Sequence, residues 1–301
     1  MSDACLLCPR KCGVKRAENL AGTLAGVCAS PLNPVVARAG LHHWEEPVIS
    51  GERGSGAVFF TGCNLHCVFC QNHDISSAPV GKEISVARLR EIYFELISQG
   101  AHNINLVTPT HFCDAILSSL EGGLPVPVVW NSNGYELVSS LRKLAGKVQI
   151  FLPDLKYADN ALAWRYSRTQ DYFERAVESI EEMYQQTGPW QMDEETGILR
   201  SGVVIRHLIL PGCVENSKKV IDFVARRFKP GEVFFSLMRQ YLPCGKVSET
   251  EFPELNRRIS DAEYLAAENA LFDSGIEDGF LQDAAAADKE FIPAFDGTGV
   301  D

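Results

Sequence analysis

The sequence predicts an α/β fold: a partial (β/α)6 barrel of parallel strands, with a Cys-rich N-terminal extension and an acidic C-terminal helix and tail. Short apolar runs alternate six times with segments of helical periodicity, the pattern of parallel strands joined by right-handed helical crossovers. A hydrophobic content of 46% in 301 residues is enough to bury the core of such a fold. We expect the extension over 1–55, the barrel over 56–245, and the C-terminal helix and tail over 246–301.

Each predicted strand is a short apolar run that is followed by apolar residues at helical spacing. The predicted strands are 57–61, 103–107, 127–130, 148–152, 203–210 and 233–237. The first helix is expected to begin after Ser85 and to end at Gly100. Asn216 is expected to cap the fifth helix, and Ser260 with Glu263 predicts a capping box for the last one. Because the carboxyl ends of parallel strands meet at one rim, residues that follow the strands are expected to carry the chemistry.

The acidic residues are concentrated at the C-terminal end of the chain. Residues 1–248 hold 25 basic and 25 acidic side chains, whereas residues 249–301 hold 3 and 14. A neutral main body excludes the electrostatic footprint of nucleic-acid binding, and we interpret the acidic end as a solvated face. No apolar run approaches the roughly 20 residues of a membrane span, and the N-terminus lacks the apolar region of a signal peptide. We therefore expect a soluble cytoplasmic protein with reduced thiols.

Three cysteines follow the first predicted strand directly. Cys63, Cys67 and Cys70 form a C-x3-C-x2-C triplet that begins two residues after this strand. Three thiolates can hold three irons of a cubane cluster whose usual ligand set is four cysteines, so one iron keeps an open position for reactive chemistry. The alternatives are a zinc site with His66 or His73 as the fourth ligand, and inert core cysteines.

The triplet, with Phe69 before its third cysteine, resembles the motif of the radical S-adenosylmethionine (radical SAM) superfamily. The segments GCNLHCVFCQN, NINLVTPTH, NSNGYE, LPDLKY, RHLILPG and IPAFDGTGV are similar to a branch of the pyruvate formate-lyase activating enzyme-like group, over nearly the full length. The resemblance implies a [4Fe-4S] cluster on Cys63, Cys67 and Cys70, with S-adenosylmethionine on its open iron. It implies that one electron cleaves the sulfonium and that the 5′-deoxyadenosyl radical takes a hydrogen atom from the substrate. Phe69 is then expected to pack beside the adenine.

Two further strand ends carry candidate cofactor-binding residues. After the third predicted strand, Asn131, Asn133 and Gly134 resemble the Asp-Thr-Asn-Gly of activating enzymes, although Asn131 replaces the aspartate. The alternative there is an ordinary Asn-Gly turn. Asp154 and Lys156 share one face at the end of the fourth strand and match the family's Asp-x-Lys motif. The alternative for this pair is a salt bridge at the rim.

Arg206 is a candidate cofactor-binding residue within the fifth predicted strand. An arginine that points into a barrel needs an anion, because an unpaired buried charge costs several kcal/mol. The candidates are a carboxylate of the cofactor or substrate and a structural carboxylate of the chain. We interpret the neighbouring His207 as a core imidazole with satisfied hydrogen bonds.

A second cysteine set lies in the N-terminal extension. Cys5, Cys8, Cys12 and Cys28 are separated by two, three and fifteen residues. Four thiols are enough to close a metal site, and short cysteine spacings of this kind are seldom accidental. A second [4Fe-4S] cluster and a structural zinc ion both fit four cysteine ligands, and we favour the cluster.

The most specific function that the resemblance implies is activation of a glycyl radical enzyme, by hydrogen abstraction from a glycine Cα of that partner. A one-electron donor such as flavodoxin or ferredoxin is the other expected partner, and neither a membrane nor a nucleic acid is expected. The first alternative is the same radical chemistry on a different small-molecule or macromolecular substrate. The alternative of another class is a zinc-stabilised binding protein without catalysis.

Overall fold

A ten-stranded sheet organises the computed structural model, which describes residues 4–16, 26–78, 80–282 and 291–301. The strands are β1 (Val35–His42), β2 (Ser55–Phe60), β3 (Lys82–Glu83), β4 (Ile104–Val107), β5 (Val128–Ser132), β6 (Ile150–Pro153), β7 (Gln191–Met192), β8 (Leu199–Leu208), β9 (Phe234–Met238) and β10 (Gly279–Leu281). Their order is β10-β9-β8-β6-β5-β4-β2-β1-β3, and β7 pairs with β8. Strands β2, β4, β5, β6, β8 and β9 are parallel neighbours, which confirms the predicted partial barrel.

Helices connect these parallel strands. They are α1 (Pro47–Ser50), α2 (His73–Ser76), α3 (Val86–Ser98), α4 (Cys113–Ser119), α5 (Val138–Leu141), α6 (Asn160–Ser167), α7 (Tyr172–Thr187), α8 (Val214–Arg227) and α9 (Asp261–Ser274), with short 3-10 helices at Thr110–Phe112, Arg142–Leu144 and Pro253–Leu255. The predicted cap of α3 is confirmed, because the Ser85 side chain accepts from the backbone N–H of Arg88. The capping box of Ser260 and Glu263 on α9 is also confirmed.

The prediction that Asn216 caps a helix is wrong. Helix α8 begins at Val214, and Cys213 occupies the cap position without a capping hydrogen bond from its side chain. Asn216 lies in the first turn, where its Oδ1 accepts from Ala158 N at 2.8 Å and its Nδ2 donates to Lys156 O at 3.0 Å. The side chain of Asn216 thus bonds the loop after β6 rather than the free N–H groups at the start of α8.

The hydrophobic core lies on both faces of the parallel strands. Val58, Trp130 and Phe151 belong to the large core under the helices, whereas their neighbours Ala57 and Val129 belong to smaller clusters on the opposite face. Burial on both faces explains why these strands are continuous apolar runs rather than alternating ones. No helix among the described residues is both long and apolar enough to cross a membrane.

The sheet continues into the segments that flank the predicted barrel. Strand β1 lies within the predicted N-terminal extension and pairs antiparallel with β2, while β10 lies in the C-terminal segment and pairs parallel with β9. The last residues also pack on β1, because Thr298 O accepts from Ala39 N at 2.9 Å and Val300 is buried. Both flanks therefore reach the rim where the predicted site residues lie.

Candidate functional site

The cysteine triplet lies after β2, in a cleft at the carboxyl ends of the parallel strands. Cys63, Cys67 and Cys70 all line this cleft. Two of the sulfur atoms accept hydrogen bonds: Cys63 Sγ from Leu65 N at 3.3 Å, and Cys67 Sγ from Ser167 Oγ at 3.2 Å. Donors of this kind stabilise the thiolate, which is the form of cysteine that binds metals.

Burial keeps two of these thiols, Cys67 and Cys70, protonated in the absence of a metal. It raises the pKa of Cys67, and it raises the pKa of Cys70 to about 12 with a further contribution from the thiols of Cys63 and Cys67. A metal must therefore displace these protons when it binds, and its positive charge offsets the cost of burying thiolates.

The donor set fits a cubane cluster with an open iron. Three cysteine sulfurs line one cleft. Among the described residues that line it, the one histidine is His42 of β1. The ring of His66, one of the two predicted zinc ligands, lies 2.6 Å from the carbonyl oxygen of Val27, and His73 pairs with Asp74. Among the described residues, no three His, Cys, Asp or Glu side chains are arranged to hold a single metal ion.

The predicted charged residues meet in the same cleft. Asp154 Oδ2 accepts from Lys156 Nζ at 2.6 Å, and Asp154 Oδ1 accepts from Arg206 Nε at 3.0 Å. Burial alone would raise the pKa of Asp154, but the cations of Arg206 and Lys156 outweigh it and hold this pKa below its usual value. The pair of Asp154 and Lys156 is thus a salt bridge, and Arg206 does have a structural carboxylate; all three side chains still line the cleft.

Glu45 supplies Arg206 with a second carboxylate. Glu45 Oε1 lies 3.2 Å from Arg206 Nη1, and Glu45 Oε2 accepts from Asn105 Nδ2 at 2.7 Å and from Asn131 Nδ2. Arg206 Nη2 also donates to Asn131 Oδ1 at 2.7 Å. Asn131 therefore accepts from a cation and donates to a carboxylate, whereas an aspartate here could only accept.

Asn133 and Gly134 shape the loop after β5. Asn133 Nδ2 donates to Asn64 Oδ1 at 2.8 Å and approaches Cys63 Sγ at 3.5 Å, so this side chain supports the triplet loop. Gly134 has φ +77°, and a Cβ atom there would collide with the carbonyl oxygen of Asp154. Asn133 lines the cleft, and Gly134 serves the turn that brings β5 and β6 close together.

Phe69 lies in the wall of the cleft beside the cysteines. Its ring packs against those of Tyr157, Tyr166 and Tyr241, with centroids 6.1–6.4 Å apart, and the residue is 5% exposed. The position is compatible with a packing role beside a planar ligand. His207, by contrast, is a core residue as interpreted: its two ring nitrogens lie 2.7 Å from Leu155 O and 2.9 Å from Ser217 Oγ.

Sequence reasoning missed several cleft residues that come from the flanks of the barrel. Glu45 and Trp44 follow β1, and Phe291 and Pro293 belong to the C-terminal segment. The rings of Trp44 and Phe291 pack at a tilt of 56°, with centroids 4.6 Å apart. The only signal in the sequence was the adjacent acidic pair at 45–46, which is too common a pattern to indicate a site.

Comparison with known families identifies the segment that carries most of this cleft. The family model of the radical SAM superfamily matches residues 57–192. This segment is a radical SAM domain. The match includes the cysteine triplet, Asn131 and the Asp154–Lys156 pair, whereas Glu45 and Arg206 lie outside it.

Similar proteins extend the likeness beyond this domain. The uncharacterized protein MJ0674 of Methanocaldococcus jannaschii is 33% identical over 241 residues, which cover 77% of this chain and 64% of that protein. The crystal structure of Streptococcus suis SuiB bound to S-adenosylmethionine has a TM-score of 0.50 at 14% identity, covering 74% of this chain and 48% of SuiB. A mutant of spore photoproduct lyase has a TM-score of 0.50 at 11% identity, covering 81% of both chains. The two structures support the fold, and the chain spans less than two thirds of the length of MJ0674 and of SuiB.

The radical SAM superfamily implies a [4Fe-4S] cluster and S-adenosylmethionine as cofactors, which confirms the two cofactors that the sequence predicts. The side chains that could hold them line the cleft: three thiols for the cluster, and the ion pairs of Asp154 and Lys156 with Arg206, which lies outside the matched segment, for a polar ligand.

Proposed function

We propose that this chain is a radical SAM enzyme that acts on its substrate by hydrogen abstraction. When bound, the two cofactors supply one electron and the 5′-deoxyadenosyl radical, with methionine as the other product of reductive cleavage. The observation that carries the proposal is that the three thiols of the radical SAM motif line the same cleft as the ion pairs of Asp154, Lys156 and Arg206.

The chain's own residues divide the work of binding and positioning. Cys63, Cys67 and Cys70 are the proposed cluster ligands, and Phe69 offers a flat apolar surface next to them. Lys156 is a compact cation that can donate to a ligand carboxylate while Asp154 holds it in place at 2.6 Å.

The specific substrate that we propose is a glycyl radical enzyme, from whose glycine Cα a hydrogen atom is removed. It is supported by the similarity of the strand-end motifs to the activating-enzyme group. The alternative is a different small-molecule or macromolecular substrate for the same chemistry. The reaction also needs a one-electron donor, for which we propose flavodoxin or ferredoxin in the cytoplasm, where thiols stay reduced.

The test of the proposed function is the cleavage of S-adenosylmethionine by anaerobically reconstituted protein. Cys63→Ala, Cys67→Ala and Cys70→Ala should each abolish formation of 5′-deoxyadenosine under dithionite while circular dichroism stays that of the parent. Cys113→Ala is the matched control, because Cys113 is a buried thiol outside the cleft. If all three triplet variants still produce 5′-deoxyadenosine, the proposal is wrong; a colourless parent protein that holds only zinc would favour the binding-protein alternative.

The substrate is tested separately. Deuterium carried on the glycine Cα of a candidate glycyl radical enzyme should appear in 5′-deoxyadenosine if that enzyme is the substrate. Transfer from a small molecule, and none from the labelled protein, would identify the alternative.

A further inference from the structure

We propose that Cys5, Cys8, Cys12 and Cys28 form a second metal centre with four thiolate ligands. We propose further that Arg10 links this centre to the cysteine-triplet loop by hydrogen bonds, so that binding of the second metal also orders that loop. The metal centre stands independently of the proposed function, whereas the effect on the triplet loop rests on it.

A short hairpin brings the first three cysteines together. Cys5 N donates to Val14 O at 2.9 Å, and Gly13 N donates to Cys5 O at 3.1 Å, so residues 5–14 fold back on themselves. At the tip of this hairpin, Lys11 N donates to Cys8 O at 3.0 Å and closes a tight turn. The x2 and x3 spacings thus place three cysteines in one short hairpin.

Cys28 joins the hairpin from the segment that follows it. A Cβ atom at Gly26 would lie 3.1 Å from Cys12 Sγ, which shows how closely this segment approaches. Arg16 Nη2 lies 3.8 Å from Cys28 Sγ. All four are free thiols, so no disulfide accounts for the cluster.

A thiophilic cation explains why four free thiols are packed together. Four thiolates repel one another, and two of these residues, Cys8 and Cys28, are buried. A [4Fe-4S] cluster, which takes one thiolate on each of its four irons, would replace the four protons, and the guanidinium of Arg16 would partly offset the net negative charge of the cluster with its thiolates. Because no three described His, Cys, Asp or Glu side chains surround a single ion, the geometry favours the cluster over a zinc ion, and the experiment distinguishes the two.

Arg10 connects this set to the triplet. It lies between Cys8 and Cys12 in the sequence, and its guanidinium donates four hydrogen bonds to backbone carbonyls of the barrel: to Asn64 (2.9 Å), Leu65 (3.2 Å), Ser167 (2.9 Å) and Arg168 (2.6 Å). Asn64 and Leu65 lie between Cys63 and Cys67, and the Ser167 hydroxyl donates to Cys67. Arg10, whose backbone lies between Cys8 and Cys12, therefore holds the loop that carries Cys63 and Cys67.

The first experiment isolates the second site in a variant with Cys63→Ala, Cys67→Ala and Cys70→Ala. After anaerobic incubation with ferrous iron and sulfide, or with Zn²⁺, we expect about four irons with sulfide or about one zinc per chain, which identifies the metal. Adding Cys8→Ser should remove it. A folded triple variant that holds neither metal at stoichiometric level overturns the proposal.

A count on the parent chain covers the case in which the triple variant does not fold. Metal in excess of one four-iron cluster supports the second site. A parent that holds one cluster and nothing more, and loses all of it on Cys63→Ala, overturns it.

The second experiment concerns Arg10. Arg10→Met keeps the length of the side chain and removes its donors, so the triplet cluster should be lost to a chelator several-fold faster than in the parent, followed by visible absorption. The same substitution in the Cys63/Cys67/Cys70→Ala variant gives the part of the loss that belongs to the second site. Arg226→Met is the matched control, since the Arg226 side chain is 78% exposed on α8. Equal rates for Arg10→Met and the parent would refute the coupling. This readout does not depend on S-adenosylmethionine cleavage, so its failure is distinguishable from failure of the proposed function.

Discussion

Asn131 shows how neighbouring charges select an amide over a carboxylate at a single position. Its Oδ1 accepts from Arg206 and its Nδ2 donates to Glu45, so both ends of the amide are satisfied. An aspartate would place a third carboxylate beside Glu45 and Asp154, with only Arg206 and Lys156 to balance them. The carboxylate beside Arg206 and Asn131 is therefore supplied by Glu45, from a different element of the fold.

Lys156 gives the most direct prediction at the scale of a residue. Lys156→Ala should weaken S-adenosylmethionine binding roughly 10- to 150-fold, because a charge-assisted hydrogen bond to a carboxylate contributes about 1.5–3 kcal/mol. Lys156→Arg should restore little, since a planar fork does not replace a compact ammonium beside Asp154. Equilibrium dialysis of the reconstituted protein measures the affinity, with Lys147→Ala on the exposed surface as the control. Unchanged affinity would mean that Lys156 serves only the salt bridge.

Helix α6 was absent from the sequence prediction, yet it supports the triplet loop. Asp159 caps its first turn by accepting from Ala161 N, and Arg168 ends it with φ +51°. Its last residue, Ser167, donates to Cys67 Sγ at 3.2 Å, and the hydroxyls of Ser167 and Tyr157 lie 2.8 Å apart. The eight-residue helix has only a weak apolar periodicity, so tertiary contacts determine its place more than its pattern does.

This helix leads to a prediction about the redox potential. Ser167→Ala should shift the midpoint potential of the triplet cluster to a more negative value, because hydrogen bonds to cluster sulfurs help to set the potential and stabilise the more negative, reduced state. A potentiometric titration followed by electron paramagnetic resonance measures it. Ser98→Ala, at the exposed end of α3, is the control. A potential equal to that of the parent would show that the Ser167 hydroxyl does not affect the cluster.

At the scale of the whole molecule, the loop between β1 and α1 links the N-terminal flank to the far strands of the sheet. Glu45 reaches Arg206 on β8, and Glu46 Oε1 accepts from Ser236 Oγ on β9 at 2.8 Å. Glu46 is 6% exposed. Burial, with smaller contributions from Glu45 and Asp154, raises the pKa of Glu46 to about 7, although Ser236 and Arg206 act in the opposite direction.

This raised pKa makes the stability of the fold depend on pH. The folded protein keeps a proton on Glu46, whereas the unfolded chain releases this proton above the usual pKa of 4.5. The contribution of this difference to the free energy of unfolding is therefore fully present below pH 4.5 and is lost as the pH rises through about 7. The loss corresponds to about 3 kcal/mol. Because glutamine does not titrate, Glu46→Gln should gain about this much stability relative to the parent between pH 4.5 and 8, as measured by urea unfolding.

The control for this prediction is Glu52→Gln, which changes an exposed carboxylate close in sequence. The pH dependence of the Glu46→Gln variant is measured against that of this variant. A Glu46→Gln variant that follows the parent at every pH would show that Glu46 is ionised in the folded protein throughout.

Local patterns in the sequence determined the parallel barrel strands, the caps at Ser85 and Ser260, and the cysteine triplet after β2, because each depends on residues within a few positions of one another. The tertiary structure alone decided which carboxylates Arg206 meets, since Glu45 is 161 residues away in the chain. It also decided the contacts of Arg10 with Ser167, across 157 residues, and the approach of Phe291 to Trp44. No periodicity encodes such pairs: they form because the sheet brings the two flanks of the chain to the rim where the strands end.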